Sequence, residues 1–198
     1  MSTNSETFKS KGFIVLPQAL NQDDMATLEN SSQAMYQRAE ELLAQLAESG
    51  ESLSDFYKRN DNELIVVPEI DNPLKVCRYE YIDGYNEAIN SQIVPKLKGF
   101  IEELTGTPFL LFKDKCNAKN PGGGAFDPHQ DVIAYDQFNP AYHVTAAIFL
   151  DDATIENGCL HFPENYLEDV ADMEHSYTET PVGKLPVLAS YDGGPDNS

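Results

Sequence analysis

The stretch PFLLFKDKCNAKNPGGGAFDPHQDVIAY, residues 108–135, marks the point at which the sequence pattern of the chain changes. Upstream of it, apolar residues recur mainly at helical spacing. From Pro108 on, short β-like runs alternate with clusters of Gly, Pro, Asn and Asp. This spacing favours a β sandwich or barrel over βαβ units. We therefore expect a mostly β fold with flanking helices.

The upstream half contains start and stop signals for two helices. Asn21 is a predicted N-cap of a long amphipathic helix that ends at Gly50, with a possible break near Ser31 and Ser32. A second helix is predicted to end at Gly106. The remaining upstream predictions are strands in GFIVLPQAL, ELIVVPEI and VCRYEYI, and a loop over residues 50–62.

The downstream half contains five β-like runs. Each is bounded by turn-forming residues, which is typical of short strands. The predicted strands are PFLLFKDKCNAK, DVIAY, YHVTAAIFLDD, GCLHF and KLPVLASY.

Composition limits the class of protein. The 198 residues fit one domain, and 33 acidic against 13 basic residues give a formal net charge of -20. This charge argues against nucleic acid and against an anionic membrane surface as partners. It gives weak support to a cationic or amine-bearing substrate. The three cysteines form no paired motif, and no secretion signal or membrane span is evident, so we expect a soluble, cytoplasmic protein.

The tripeptide His129-Gln130-Asp131 is the first candidate site. In a strand, residues two apart point to the same face, so His129 and Asp131 can offer an imidazole and a carboxylate to one point. Sites with two histidines and one carboxylate hold non-haem Fe(II) and leave coordination positions open. The alternative is a histidine and a surface acid that merely share a loop.

A row of cations precedes this tripeptide. Lys113, Lys115, Asn117 and Lys119 alternate, so a strand would send all four side chains to one side. That side is either a solvated face or a pocket for a dicarboxylate. The glycines of NPGGGAFDP allow a tight turn and a close approach of the backbone.

Three segments resemble the phytanoyl-CoA dioxygenase family of Fe(II)/2-oxoglutarate oxygenases. They are PHQD, the run HVTAAIFLDDATIENGCLHFPENY that follows it, and the opening FKSKGFIVLPQALNQDDMATL. The resemblance covers nearly the whole chain. It implies a single domain over 1–198 with a double-stranded β-helix core, jelly-roll and cupin-like, and one expectation is that this core is incomplete at its C-terminus. Residues 1–106 would supply N-terminal strands and helices, and residues 107–198 the first part of the core.

The resemblance also implies roles for individual residues. Fe(II), 2-oxoglutarate and O₂ are the implied cofactor and co-substrates, and the other substrate is a small molecule. The residues implied are His129 and Asp131 as iron ligands and catalytic residues, Lys115, Asn117, Lys119 and Gln130 for the co-substrate, and Lys113 and Tyr135 for the substrate.

The sequence departs from the family pattern in two places. The turn after NGCL reads PENYLE where the family has a histidine, and no arginine follows Arg78 to pair with 2-oxoglutarate. The family's third iron ligand is a downstream histidine, but His143 and His161 read as ordinary strand residues and His175 as an exposed loop residue. Three explanations stay open: a longer parent chain, completion of the barrel by self-association or a partner, and loss of the metal.

Two classes of function follow. The first is an Fe(II)/2-oxoglutarate-dependent dioxygenase that hydroxylates an unactivated C–H of a small molecule. The second is an inactive or partner-dependent binding or regulatory protein of the same ancestry, because the third ligand and the arginine are not evident. A different cupin-like metalloprotein is less favoured, since such cores usually carry several histidines close together.

Overall fold

The computed structural model describes residues 3–59, 61, 63–124, 126–139, 142–162, 174–180 and 183–188. Its residues divide into two compact units. The sheet unit comprises residues 18–100 and 108–124, and the hairpin unit comprises the described residues of 1–17, 101–107 and 125–198. The prediction of a single domain with a boundary at residue 106 stays a prediction.

Helices account for most of the regular structure in the described residues. They are α1 (Thr3–Lys11), α2 (Gln22–Ser49), α3 (Leu53–Tyr57), α4 (Ile82–Tyr85), α5 (Val94–Thr105) and α6 (Asp131–Ala134), with a π-helical turn at Ile89–Ile93 and a 3₁₀ turn at Asp136–Phe138.

The long helix α2 begins and ends where the sequence predicts. The Asn21 side chain accepts a hydrogen bond from the Asp24 N–H, and the Asp24 carboxylate accepts one from the Asn21 N–H, which completes a capping box. Gly50 ends the helix at φ 67°, a left-handed conformation that suits glycine. The possible break at Ser31 and Ser32 does not occur, because α2 is continuous through both residues.

The sheet unit contains a three-stranded antiparallel sheet in the order β1-β2-β3. Its strands are β1 (Ile65–Pro68), β2 (Val76–Glu80) and β3 (Lys115–Asn117). The strands predicted in ELIVVPEI and VCRYEYI are therefore confirmed. The long strand predicted over residues 108–119 is reduced to β3.

The core of the sheet unit lies between α2 and this sheet. Tyr79 of β2 is 1% exposed, and its hydroxyl pairs with the Ser32 hydroxyl of α2 at 2.9 Å. Burial of apolar side chains on both elements supplies most of the driving force for this packing. The buried apolar residues of α2 and the sheet are Leu28, Met35, Ala39, Leu42, Leu43, Val66, Val67, Val76 and Tyr79.

The hairpin unit contains the antiparallel pair β4 (His175–Thr180) and β5 (Gly183–Leu188). The strand predicted in KLPVLASY is confirmed over residues 184–188, and its last three residues lie outside the described part. His175 lies in β4, so the prediction of an exposed loop there is wrong.

Several other local predictions are also wrong. DVIAY forms helix α6 instead of a strand, no strand is assigned in the described segment 142–162, and residues 13–16 are irregular after α1. Helix α3 lies within the predicted loop 50–62, capped by the Ser52 side chain. A five-residue apolar run such as DVIAY fits a strand or a short helix equally well, and local hydrogen bonding of Ile133 to Gln130 and of Tyr135 to Val132 decides for the helix.

The described residues thus form helices with small antiparallel sheets. They contain more helix than the expected mostly β fold. No helix in the described part of the chain is both long and apolar enough to cross a membrane.

The cap of α2 provides a test of the fold. Asn21→Ala removes one half of the capping box, so we expect a loss of about 1 kcal/mol in the free energy of unfolding. Thermal or urea unfolding followed by circular dichroism measures this loss. Asn30→Ala is the matched control, since Asn30 is exposed within α2 and caps nothing. Equal stability of both variants would contradict the assigned helix start.

Candidate functional site

The cation row lies on one side of the segment that contains β3. Burial alternates from Lys113 to Asn120: the odd-numbered residues are exposed and the even-numbered residues are partly buried. Only residues 115–117 are assigned as strand, yet the alternation extends beyond them at both ends. The prediction that Lys113, Lys115, Asn117 and Lys119 share one side is consistent with this pattern.

The even-numbered side chains tie the segment to the rest of the sheet unit. The Asp114 carboxylate accepts hydrogen bonds from the backbone N–H groups of Ile82 and Asp83, both at 2.7 Å, at the start of α4. The Asn120 side-chain amide donates to the Tyr36 hydroxyl at 2.9 Å and to the Val76 carbonyl at 3.0 Å. These contacts fix which side of the segment faces outward.

The outward side meets two charged residues of the central strand. Lys113 Nζ lies 3.0 Å from Glu80 Oε2, and Arg78 Nε lies 2.9 Å from Glu80 Oε1. In the sheet register, Lys115 is opposite Glu80 and Asn117 is opposite Arg78. The predicted substrate residue Lys113 therefore has an intramolecular counter-ion, and its role in substrate binding stays a prediction.

The glycine turn approaches Glu69 closely. The Gly124 N–H donates to Glu69 Oε2 at 3.2 Å, and a Cβ atom at Gly123 would lie 2.6 Å from Glu69 Oε1. Gly122 has φ +71°, a conformation that favours glycine, whereas a side chain at Gly123 would require the Glu69 carboxylate to move. Burial raises the pKa of the Cys77 thiol. The Glu69 charge raises this pKa further, while the charges of Arg78 and Lys119 lower it.

His129 and Asp131 come together at the start of α6, with Gln130 as its N-cap. The His129 ring donates a hydrogen bond from Nδ1–H to the Asp127 carbonyl at 2.6 Å. In the neutral ring, Nε2 is then the nitrogen that keeps a lone pair. Nε2 lies 3.6 Å from Asp131 Oδ1, and the Thr145 hydroxyl donates to Asp131 Oδ2 at 2.9 Å. One nitrogen and one carboxylate oxygen thus face each other, while the remaining polar atoms hold both side chains in place.

The β4–β5 hairpin supports the segment that carries His129. The Leu188 N–H donates to the Pro128 carbonyl at 2.8 Å, and the Thr178 hydroxyl donates to Asp127 Oδ2 at 3.1 Å. His175 Nε2 lies 3.1 Å from Gln130 Oε1. Three contacts from a segment about 50 residues downstream therefore hold Asp127–Gln130. The predicted co-substrate residue Gln130 contacts a histidine in this structure.

The other predicted residues of the hairpin unit have separate neighbours. Tyr135 stacks on His143 with ring centroids 5.5 Å apart, and His161 Nε2 lies 3.4 Å from Cys159 Sγ. Within the described residues, no group of three or more His, Cys, Asp or Glu side chains is arranged to hold a metal ion. The turn at 163–168, where the family has a histidine, lies outside the described residues.

The chain belongs to the phytanoyl-CoA dioxygenase (PhyH) family, whose model matches residues 8–183. The sequence resemblance is confirmed by this match. No solved structure matches the chain at a significant level.

Curated relatives carry the names of dioxygenases and hydroxylases. A 2-aminoethylphosphonate dioxygenase from an uncultured bacterium is 36% identical over 95 residues, which are 48% of this chain and 36% of the relative. A methylphosphonate hydroxylase from Gimesia maris is 39% identical over 90 residues, 45% of this chain and 34% of the relative. An L-proline trans-4-hydroxylase from Streptomyces griseoviridis is 41% identical over 71 residues, 34% of this chain and 26% of the relative. The chain spans about a third of the length of the first two.

Sequence reasoning missed several residues that shape these two sites. Thr145 and His175 contact the His129–Asp131 segment from positions 14 and 45 residues away from their partners. No local signal could have placed them there. Arg78 and Glu80, by contrast, alternate within VCRYEYI, and this alternation could have shown that they share one face of a strand.

Asp114 gives a pH-dependent test of the anchoring described above. Burial raises the pKa of Asp114. The hydrogen bonds that its carboxylate accepts from two backbone N–H groups lower the pKa, but they do not cancel the effect of burial. When the pKa of a carboxyl group is higher in the folded state than in the unfolded state, its ionisation favours the unfolded state. The free energy of unfolding therefore falls as pH rises from below the unfolded pKa of about 3.9 through the higher folded pKa. We therefore expect the stability of Asp114→Asn relative to wild type to improve as pH rises across this window.

Urea unfolding midpoints at a series of pH values measure this trend. Asp83→Asn is the companion variant, because the Asp83 charge contributes to the raised pKa of Asp114. In the Asp83→Asn background, the effect of Asp114→Asn should depend less on pH. A stability difference that is the same at every pH would contradict the assignment.

Proposed function

We propose that this protein is an Fe(II)/2-oxoglutarate-dependent oxygenase that hydroxylates a C–H bond of a small molecule. The observation that carries the proposal is the paired His129 and Asp131 in a chain of the PhyH family. We further propose that the domain has the double-stranded β-helix core that this family implies. The names of the relatives support an oxygenase as the class of enzyme.

The local geometry fits the role of His129 and Asp131 as two iron ligands. A histidine ligand commonly donates its second ring N–H to a backbone carbonyl, and His129 does so to Asp127. The 3.6 Å separation of Nε2 and Oδ1 is short enough for both atoms to contact one ion. Thr145 occupies Oδ2, so the Asp131 carboxylate has one oxygen turned to His129. A third protein ligand is not assigned among the described residues.

With iron bound, the site would supply oxidative cleavage of an unactivated C–H bond at the expense of O₂ and 2-oxoglutarate. The chain's own part is to hold the two ligands in a fixed orientation. Asp127 keeps the His129 tautomer, Thr145 keeps the carboxylate rotamer, and the hairpin keeps the backbone between them in place. Fixed ligand geometry is a general requirement for metal-centred catalysis.

We propose that Lys115, Asn117 and Lys119 bind 2-oxoglutarate. This dicarboxylate needs cations, and the chain has only 13 basic residues against 33 acidic ones. The alternation of burial supports a shared outward side for these three residues. Gln130 and Tyr135 remain proposed contacts of the co-substrate and substrate.

The relatives named for 2-aminoethylphosphonate and methylphosphonate suggest the class of substrate. We propose a small molecule with a phosphonate or carboxylate group. An amine on the same molecule would suit the acidic surface, since a net charge of -20 attracts cations.

The first test of this proposal is His129→Ala. We expect the variant to lose specific Fe(II) binding, since one of the two assigned ligands is removed. Anaerobic titration with Fe(II), read as metal stoichiometry after desalting, measures this loss without requiring turnover. His161→Ala is the control, because His161 contacts Cys159 and not the proposed ligands. Unchanged stoichiometry in His129→Ala would remove this site from consideration.

The second test concerns the co-substrate. Lys115→Met or Lys119→Met should lower the affinity for 2-oxoglutarate roughly ten- to hundred-fold. This is the effect of losing a charge-assisted hydrogen bond that contributes about 1.5–3 kcal/mol. Fe(II) stoichiometry should not change. Lys58→Met is the control in calorimetric titration, since the Lys58 side chain is 74% exposed beside Asp55. Equal affinity in wild type and all three variants would indicate that the lysine row is a solvated face.

A further inference from the structure

The connection between β1 and β2 holds the glycine turn that follows the lysine row. Glu69 and Lys75 are the two ends of this connection, and the Glu69 N–H donates to the Lys75 carbonyl at 2.8 Å. Each side chain contacts the glycine turn. The Glu69 carboxylate accepts a hydrogen bond from the Gly124 N–H, and Lys75 Nζ donates to the Pro121 carbonyl at 2.5 Å. Glu69 and Lys75 are called the turn clamp below.

The glycine turn contains a tight β-turn. The Gly123 N–H donates to the Asn120 carbonyl at 2.8 Å, which closes the turn. Pro121 occupies the second position, and Gly122 occupies the third at φ +71°. Proline followed by a left-handed glycine is the pattern of a type II turn. The Asn120 side-chain amide donates to the Val76 carbonyl at 3.0 Å, so the sheet fixes the start of the turn and the turn clamp fixes its end.

The turn clamp leaves little space for a side chain at one of the glycines. A Cβ atom at Gly123 would lie 2.6 Å from Glu69 Oε1 and 3.0 Å from the Asn120 carbonyl oxygen. A Cβ atom at Gly124 would lie 3.7 Å from Glu69 Oε2, which is an ordinary contact. The Glu69 carboxylate thus packs against Gly123 while it bonds to Gly124. Glycine at position 123 permits this close approach.

Lys119, a proposed co-substrate residue, lies between the sheet and the glycine turn. The Ala118 N–H donates to the Cys77 carbonyl of β2 at 2.8 Å, and Asn120 begins the turn. Glu69 raises and Lys119 lowers the pKa of the Cys77 thiol, so both charges lie near the same residue of β2. The backbone of Lys119 is therefore fixed from both sides, by the β2 contact before it and by the turn after it.

We propose that Glu69 is a positioning residue, which fixes the glycine turn through the turn clamp and thereby fixes the backbone that carries Lys119. The role of this lysine in binding 2-oxoglutarate rests on the proposed function, whereas the coupling of Glu69 to the glycine turn does not. A lysine side chain has high rotamer entropy, so a fixed backbone lowers the cost of holding its ammonium group on an anion. Residues that support a ligand contact affect affinity although they do not touch the ligand.

The first experiment measures the turn without a ligand. The amide chemical shifts of Lys119 and Asn120, recorded by NMR on the full 198-residue chain, report the backbone beside the turn. Gly123→Ala should change both shifts, because the new methyl group displaces the Glu69 carboxylate. Gly124→Ala is the matched control. It replaces the adjacent glycine, where a Cβ atom has an ordinary contact, and should leave both shifts close to those of wild type.

A second background tests whether Glu69 is the cause. In Glu69→Ala the carboxylate is absent, so adding Gly123→Ala should change the two shifts less than it does in wild type. The remaining change comes from the Asn120 carbonyl oxygen, which stays 3.0 Å from the new Cβ atom. Equal changes in both backgrounds, or equal effects of Gly123→Ala and Gly124→Ala in wild type, would overturn the proposal. The latter comparison needs no change at Glu69, so it stays decisive if Glu69→Ala does not fold.

The second experiment is anaerobic calorimetric titration with 2-oxoglutarate in the presence of Fe(II). Glu69→Ala should lower the affinity roughly three- to ten-fold, the effect of about one lost hydrogen bond. Glu69→Gln should restore most of the affinity, because its amide oxygen still accepts from the Gly124 N–H. Glu63→Ala is the control, since it removes a partly buried glutamate of the same unit whose carboxylate bonds to Arg38. Wild-type affinity in Glu69→Ala, or a loss that Glu69→Gln does not reduce, would contradict the positioning role.

The two experiments separate this inference from the proposed function. If the NMR shifts show the coupling of Glu69 to Gly123 but wild type binds no 2-oxoglutarate, the turn clamp stands and the proposed co-substrate role of Lys119 fails. If Lys119→Met lowers the affinity for 2-oxoglutarate and Glu69→Ala does not, the proposed function stands and this inference is wrong.

Discussion

The arrangement of residues 113–120 depends on the side chains that point inward. The Asp114 carboxylate accepts hydrogen bonds from two backbone N–H groups at the start of α4. The Asn120 side-chain amide donates hydrogen bonds to the Tyr36 hydroxyl and the Val76 carbonyl. Because side chains alternate along an extended segment, fixing the even-numbered residues directs the odd-numbered ones outward. A shift of one residue would bury the lysines and expose the anchors, which makes the register of this segment strongly specified.

A different constraint holds the His129–Asp131 pair. Its two side chains lie in a short loop and the first turn of α6, where no regular ladder fixes the backbone. The β4–β5 hairpin compensates with hydrogen bonds to Asp127, Pro128 and Gln130. A loop that carries function on a supporting scaffold is a common arrangement, since irregular backbone can place side chains where strands cannot.

The sequence predicted best those elements with one buried face and distinct ends. The caps Asn21 and Gly50 predicted α2, and the alternation in VCRYEYI predicted β2. Prediction failed for DVIAY, where Ile133 and Tyr135 bond back to residues only three positions away. Such local bonds leave no trace in hydrophobic periodicity. The role of His175 also depended on a long-range contact, which no single sequence encodes in a readable way.

The acidic composition makes the placement of the few cations informative. The chain has three arginines. Arg38 pairs with Glu63 and Glu41, and Arg59 pairs with Glu51. The side chains of all three of these glutamates are partly exposed. Arg78 alone among them is buried in a sheet, where the lower local dielectric strengthens its interaction with the Glu80 carboxylate. An isolated buried charge is costly, and the Glu80 carboxylate, with Oε1 2.9 Å from Arg78 Nε, offsets that cost. Glu80 Oε2 also lies 3.0 Å from Lys113 Nζ, so one carboxylate links the central strand to the segment that contains β3.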